Sequence, residues 1–221
     1  MDFQSIKDRA IKNSGSLEAL EQRLTKPKPV AALKDTPDDR WLAEMTKCIF
    51  QAGFNWKIIE NKWDDFEDAF EGFDISRWVF MSDDDISDLL GNSRIVRNGA
   101  KIRSVGENAV MLRDIRDKYG SVGAWFAGWN THNYTENILS LQKAGSRLGG
   151  KTGQIFLRRM GVDTPVYTKD VLLALKEAGH SGKPPTSKKL WQETQQILEG
   201  WKNEEGLSFN EISQILALSV G

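Results

Sequence analysis

The chain has 221 residues, 39% of them hydrophobic and 28% charged, with 30 Lys and Arg against 31 Asp and Glu. This is an ordinary globular composition with enough apolar content to bury a sizeable core, and it excludes disorder over most of the length. A single Cys and two His exclude an internal disulfide and a Cys/His-rich structural zinc site, and no apolar run approaches the roughly twenty residues of a bilayer span.

The first residues, with Asp2, Lys7, Asp8 and Arg9, lack the apolar centre of a signal peptide, so a reducing cytoplasm is the expected setting. Ser, Gly, Lys and Pro, including Lys26-Pro27-Lys28-Pro29, mark residues 1–35 as an N-terminal helix followed by an extended strap. Regular packing begins at Thr36-Pro37-Asp38-Asp39, with Thr36 as cap, Pro37 at the first helical position and two acids in the first turn. Trp41, Leu42, Met45 and Ile49 follow at helical spacing up to about Gly53. Trp63, Phe66 and Phe70 repeat that spacing, and Ser82-Asp83-Asp84-Asp85 starts a short helix ending at Gly91. Ile95 to Ile115 reads as a long amphipathic helix ending at Gly120 and broken once near Asn98-Gly99.

Helical patterns then recur over Val122–Trp129, Thr135–Ala144, Thr152–Met160, Asp170–Ala178, Lys188–Asn203 and Ser208–Ser219, and strand signals are nearly absent. The expected fold class is therefore all-α, with about ten helices. Eight Trp residues are core candidates in a chain of many short helices. Charge is uneven: Lys57 to Leu90 holds eleven acids and three bases, whereas Lys143 to Lys189 holds ten bases and three acids. A basic second half suits a phosphate backbone, while scattered solvated charge is the plain alternative.

Arg147-Leu148-Gly149-Gly150-Lys151-Thr152-Gly153 lies between two helices. Its adjacent glycines allow a tight turn that presents N–H groups at the N-terminus of the following helix, an anion site to which Arg147 and Lys151 add charge. The string lacks P-loop spacing and no strand precedes it, so a nucleotide-binding reading is rejected. Nineteen residues beyond Lys151, past Gly161-Val162-Asp163-Thr164-Pro165, Asp170 opens another apolar helix.

Helix, glycine hairpin, helix, a Gly/Pro turn and an Asp heading a helix together resemble the helix-hairpin-helix DNA glycosylase superfamily. Within it, Gln51-Ala52-Gly53-Phe54-Asn55-Trp56, the run from Phe66 to Asp74 and the run from Arg94 to Ala109 resemble the DNA-3-methyladenine glycosylase I family. The resemblance spans about residues 36 to 180, roughly two thirds of the chain. It implies a DNA glycosylase fold of two interleaved helical lobes over residues 36–221, with the helix-hairpin-helix at about 137–160. The implied activity is base-excision repair: an alkylated, 3-methyladenine-like purine is flipped from damaged double-stranded DNA and its N-glycosidic bond hydrolysed.

Residue by residue, the resemblance makes Trp56 the aromatic that stacks on the extruded base, with Gln51 and Cys48 beside it. Gly149 and Gly150 become the hairpin that holds phosphates, flanked by Arg147, Lys151 and Thr152. Asp170 becomes the carboxylate that stabilises charge developing on the sugar; the alternative is a helix N-cap. Two departures stand out. Cys48 occupies the position of the family's base-recognising Glu, and the family's zinc-binding Cys and His are missing, as in a divergent, zinc-free branch. No metal or redox cofactor is implied, and a monomer in the bacterial cytoplasm or nucleoid is expected. Two rival functions remain open: a non-catalytic binder of DNA structure, and a bifunctional glycosylase/lyase using Lys151 as Schiff-base nucleophile.

Overall fold

In a computed structural model, which describes residues 2–220, the chain is all-helical, and no strand occurs among the described residues. In chain order the helices are α1 (Phe3–Ser14), α2 (Leu17–Arg23), α3 (Val30–Lys34), α4 (Asp38–Gln51), α5 (Trp56–Asn61), α6 (Trp63–Ala69), α7 (Ile75–Trp78) and α8 (Asp83–Gly91). There follow α9 (Gly99–Tyr119), α10 (Val122–Ala127), α11 (Tyr134–Ala144), α12 (Lys151–Met160), α13 (Lys169–Glu177), α14 (Lys188–Glu205) and α15 (Phe209–Leu218). Among the described residues there are fifteen α-helices rather than about ten, because short helices also form where none was expected, at α2 and α3 within the strap, at α5 before Trp63 and at α7 before Ser82. Residues 3–34, expected as a helix and a strap, carry three of them, with only the stretch before α3 extended.

Caps explain most boundaries. Ser82 and Asp85 form a reciprocal capping box at α8, and Ser208 and Glu211 another at α15. Asn98 caps α9 by accepting from Lys101 N, so the helix expected from Ile95 begins only at Gly99, and Ile95 stays buried on the preceding loop. At α4 the sequence reading is one residue off: Pro37 occupies the cap position with no side-chain cap bond, while Thr36 donates its hydroxyl to Ala32 O.

The chain divides into two compact units. One comprises Met1–Lys28, Trp129–Leu139 and Gly161–Gly221; the other comprises Pro29–Gly128 and Ser140–Met160. In the first unit, Tyr134 meets Phe209 edge-on at 5.8 Å and Trp191 at 6.2 Å, and Phe3 of α1 stacks on Trp201 of α14 at 5.1 Å. The second unit is built on α4. Its Trp41 stacks on Phe126 of α10 at 4.4 Å and meets Phe156 of α12 edge-on at 6.1 Å. Phe50, Phe66, Phe70 and Phe73 extend this core, and burial of each such ring stabilises the fold by about 1.5–3 kcal/mol. Among the described residues no helix is long and apolar enough to cross a membrane.

Candidate nucleic-acid and base-binding site

The hairpin between α11 and α12 belongs to the second unit. Leu148 is fully buried and anchors it, leaving Arg147, Gly149, Gly150 and Lys151 exposed. Asn108 of α9, itself buried, grips the hairpin backbone twice: its Nδ2 donates to Ser146 O at 3.1 Å and its Oδ1 accepts from Ser146 N at 2.8 Å. Gly150 turns the chain at φ 55°, in the left-handed region that glycine adopts without penalty. Arg147 holds φ 59° despite its side chain, and its Nε donates to Ala100 O at the start of α9. Inside the first turn of α12, a Cβ on Gly153 would stand 2.4 Å from Leu148 O, so only glycine lets the helix start this close to the hairpin. Gly149, by contrast, has open space around it. The result is a firmly held turn whose outer backbone and α12 N-terminus face solvent, with Thr152 half-buried behind it.

The second element is the C-terminal end of α4. Gln51 is its last residue and is buried; the Ala52-Gly53 turn follows, and Asn55 caps α5 by accepting from Lys57 N. Lys101 of α9 fixes this turn from outside, its Nζ donating to Phe50 O at 3.1 Å and Ala52 O at 2.8 Å. Burial and the neighbouring charge of Arg147 hold the Lys101 pKa below the usual lysine value. Trp56 opens α5 and is 46% exposed. It is the one Trp of the eight that is exposed; the others are buried or half-buried.

Cys48 is buried, and burial together with the Glu44 carboxylate pushes its thiol well above the ordinary range, so it carries no charge. Glu44 lies one helical turn earlier, with its Oε1 accepting from Cys48 Sγ at 3.4 Å. Arg159 of α12 completes the group. Its Nη1 donates to Gln51 Oε1 at 2.7 Å and to Glu44 Oε1 at 3.0 Å, and its guanidinium lies over the Trp56 ring, 4.8 Å from the centroid. Sequence reasoning named Cys48, Gln51 and Trp56 and missed Glu44, Lys101 and Arg159. Glu44, Cys48 and Gln51 share a helix face by spacing alone; Arg159, 108 residues beyond Gln51, left no local signal.

In the first unit, Asp170 is the second residue of α13 and is exposed. The capping role belongs instead to Thr168, whose hydroxyl accepts from Val171 N, so Asp170 is left as a solvent-facing carboxylate in a first helical turn. Asp163 is half-buried and engaged, accepting from Asn210 N at 2.9 Å and from Lys202 Nζ at 3.4 Å. Among the described residues no group of three or more His, Cys, Asp or Glu is arranged to hold a metal ion.

The model of the methyladenine glycosylase family matches residues 34–147, just over half of the chain. The chain belongs to the methyladenine glycosylase family. Among solved structures it is similar to the 8-oxoguanine glycosylase/lyase of Methanocaldococcus jannaschii in complex with a 15mer DNA containing 8-oxoguanine. That likeness has a TM-score of 0.55 and 17% identity, covering 96% of this chain and 95% of that one. A second structure, the 8-oxoguanine DNA glycosylase of the same organism, gives a TM-score of 0.53 and 19% identity, with 97% and 91% covered.

The fold is thus that of the helical, helix-hairpin-helix DNA glycosylases, and the family supports a DNA-repair glycosylase acting on N-glycosyl bonds. The stretch that carries membership in the methyladenine glycosylase family contains Glu44, Cys48, Gln51, Trp56, Lys101 and Asn108 and stops at Arg147. The hairpin glycines, Arg159, Asp163 and the candidate carboxylate Asp170 lie beyond it.

Proposed function

We propose that this methyladenine glycosylase family member extrudes an N-alkylated, 3-methyladenine-like purine from duplex DNA and hydrolyses its N-glycosidic bond. The observation that carries the reading is Trp56, an indole ring 46% exposed with the Arg159 guanidinium over its face, in a chain that buries or half-buries its other Trp residues. A large exposed ring forgoes burial energy unless a ligand covers it, and an electron-rich indole face suits the electron-poor ring of an alkylated base.

In this reading Gly149, Gly150 and the α12 N-terminus receive phosphate oxygens through backbone N–H groups, with Arg147, Lys151 and Thr152 around them. Alkylation leaves positive charge on the base, so the C1′–N bond breaks with its electron pair passing to the base and neutralising it. Positive charge develops on the sugar, where the Asp170 carboxylate stabilises it and orients water. Water then adds at C1′ and loses a proton. Lys151, exposed at the head of α12 and without a side-chain partner among the described residues, serves a phosphate.

The test is to incubate the purified protein with methylated duplex DNA and separate the released bases by chromatography. Release of methylated purines is expected. Tight DNA binding with no release would turn the chain into a non-catalytic binder that kept the hairpin.

A further inference from the structure

The contacts of Arg159 describe a binding slot that is already full. Its guanidinium is flat, delocalised and cationic, and it lies over the Trp56 face while giving N–H groups to a carboxylate, Glu44, and an amide oxygen, Gln51. Those are the features of a purine that carries a fixed positive charge and an exocyclic amino group. We propose that Trp56, Glu44 and Gln51 form a slot for a planar cation, that Arg159 occupies it in the absence of DNA, and that the extruded base takes the place of the guanidinium with Glu44 reading its charge. The inference rests on the glycosylase reading above for the identity of the base, but not for the existence of the slot.

Three further observations support the exchange. First, Gln51 Nε2 is buried and has no hydrogen-bond partner, although the side chain is almost completely enclosed. A buried donor left without an acceptor is costly, and Arg159, which has donors only, cannot supply one. An adenine edge can: its N6 amino group donates to the amide oxygen while N7 accepts from the amide nitrogen, the two-bond pairing that Gln makes with adenine. Methylation at N1 or N3 leaves that edge intact.

Second, Cys48 provides no charge for a cationic base, because its enclosed thiol stays protonated. The carboxylate that can pair with such a base stands one turn earlier on the same helix, at Glu44, whose Oε1 is 3.4 Å from Cys48 Sγ. Third, the polar contacts of Arg159 all run through Nη1, and its side chain is 27% exposed, so one nitrogen must let go for the side chain to swing into water.

The exchange is tested with 1-methyladenosine, a stable cationic nucleoside at neutral pH with a free N6/N7 edge, against neutral adenosine. Both are titrated calorimetrically into wild type, Arg159→Met and the double variant Arg159→Met with Glu44→Gln. Emptying the slot should tighten 1-methyladenosine binding by roughly tenfold or more, leave adenosine far weaker, and lose the gain when Glu44 is also neutralised. Unchanged affinity in Arg159→Met, with a melting temperature near wild type, would make Arg159 a structural strut and overturn the slot. Arg159→Gln, which keeps a polar end toward Glu44, gives the same readout should Met at this position unfold the chain.

Base release separates this inference from the glycosylase reading. Glu44→Gln should lower release of methylated adenine from methylated DNA by roughly tenfold or more. Release by wild type that Glu44→Gln leaves unchanged would remove Glu44 from base reading and keep the glycosylase. Tighter binding of 1-methyladenosine to Arg159→Met with no release by wild type would keep the slot and remove the glycosylase reading.

Discussion

The hairpin and the end of α4 belong to one structural unit, and each presents an exposed element held in place by a polar residue of α9: Asn108 for the hairpin and Lys101 for the α4 turn. They differ in how the chain assembles them. The hairpin is contiguous, Arg147 to Gly153, and offers mainly backbone N–H groups, which hold any phosphate regardless of base sequence. The α4 end is gathered from residues 44 to 56 and from Arg159, and offers side chains whose charge and hydrogen-bonding pattern can discriminate. On the proposed reading, affinity for duplex DNA is local in sequence, and selection of the base is not.

The largest expected effect lies outside both regions and separates binding from chemistry. Asp170→Asn should lower base excision by roughly a hundredfold while leaving duplex affinity nearly intact, as expected for removal of one charge-stabilising group. Asp163→Asn is the necessary comparison. It weakens the pairing with Lys202 and should lower the melting temperature. If a folded Asp163→Asn loses more excision than Asp170→Asn, the working carboxylate is Asp163, and rate measurements on the two variants decide it.

The next effect breaks the rigidity of the hairpin. Asn108→Ala leaves the N–H and C=O of half-buried Ser146 without their partner, which costs up to about 1–3 kcal/mol and should show as a lowered melting temperature. Binding to undamaged duplex should fall with it, because the outer glycines lose their fixed position. A stable variant with unaltered DNA binding would show that Leu148 and Gly150 suffice to hold the turn.

How much of this was legible follows the same division. The all-α class, the capping residue of α8 and the glycine hairpin were written in short stretches, because caps, turns and helical periodicity act over a few residues. Trp56 could be singled out only through the Gln51-Ala52-Gly53 string; by type and spacing alone it was a core residue like Trp41. The Thr36 cap was misplaced by one residue because Pro37 fits the position before a helix as well as the first within it. Arg159 was invisible in sequence, where it is one of two adjacent basic residues on an amphipathic helix. Packing of α12 against α4 is what brings it to Glu44 and Gln51.

The smallest expected effect tests the hairpin's indifference to sequence. If Lys151 meets a phosphate, Lys151→Ala should weaken binding to damaged and undamaged duplex alike. The slope of log affinity against log salt should become shallower by about one, the release of a single condensed counterion. The base preference set at the α4 end should not move, since phosphate contacts position the protein without reading bases. The same residue carries the rival chemistry: a lyase would use its amine to form a Schiff base with an opened abasic sugar, which borohydride reduces to a permanent link. Wild type incubated with abasic DNA and borohydride should remain uncoupled. A covalent complex formed by wild type and lost in Lys151→Ala would move Lys151 from phosphate holder to nucleophile and give the hairpin a part in the chemistry.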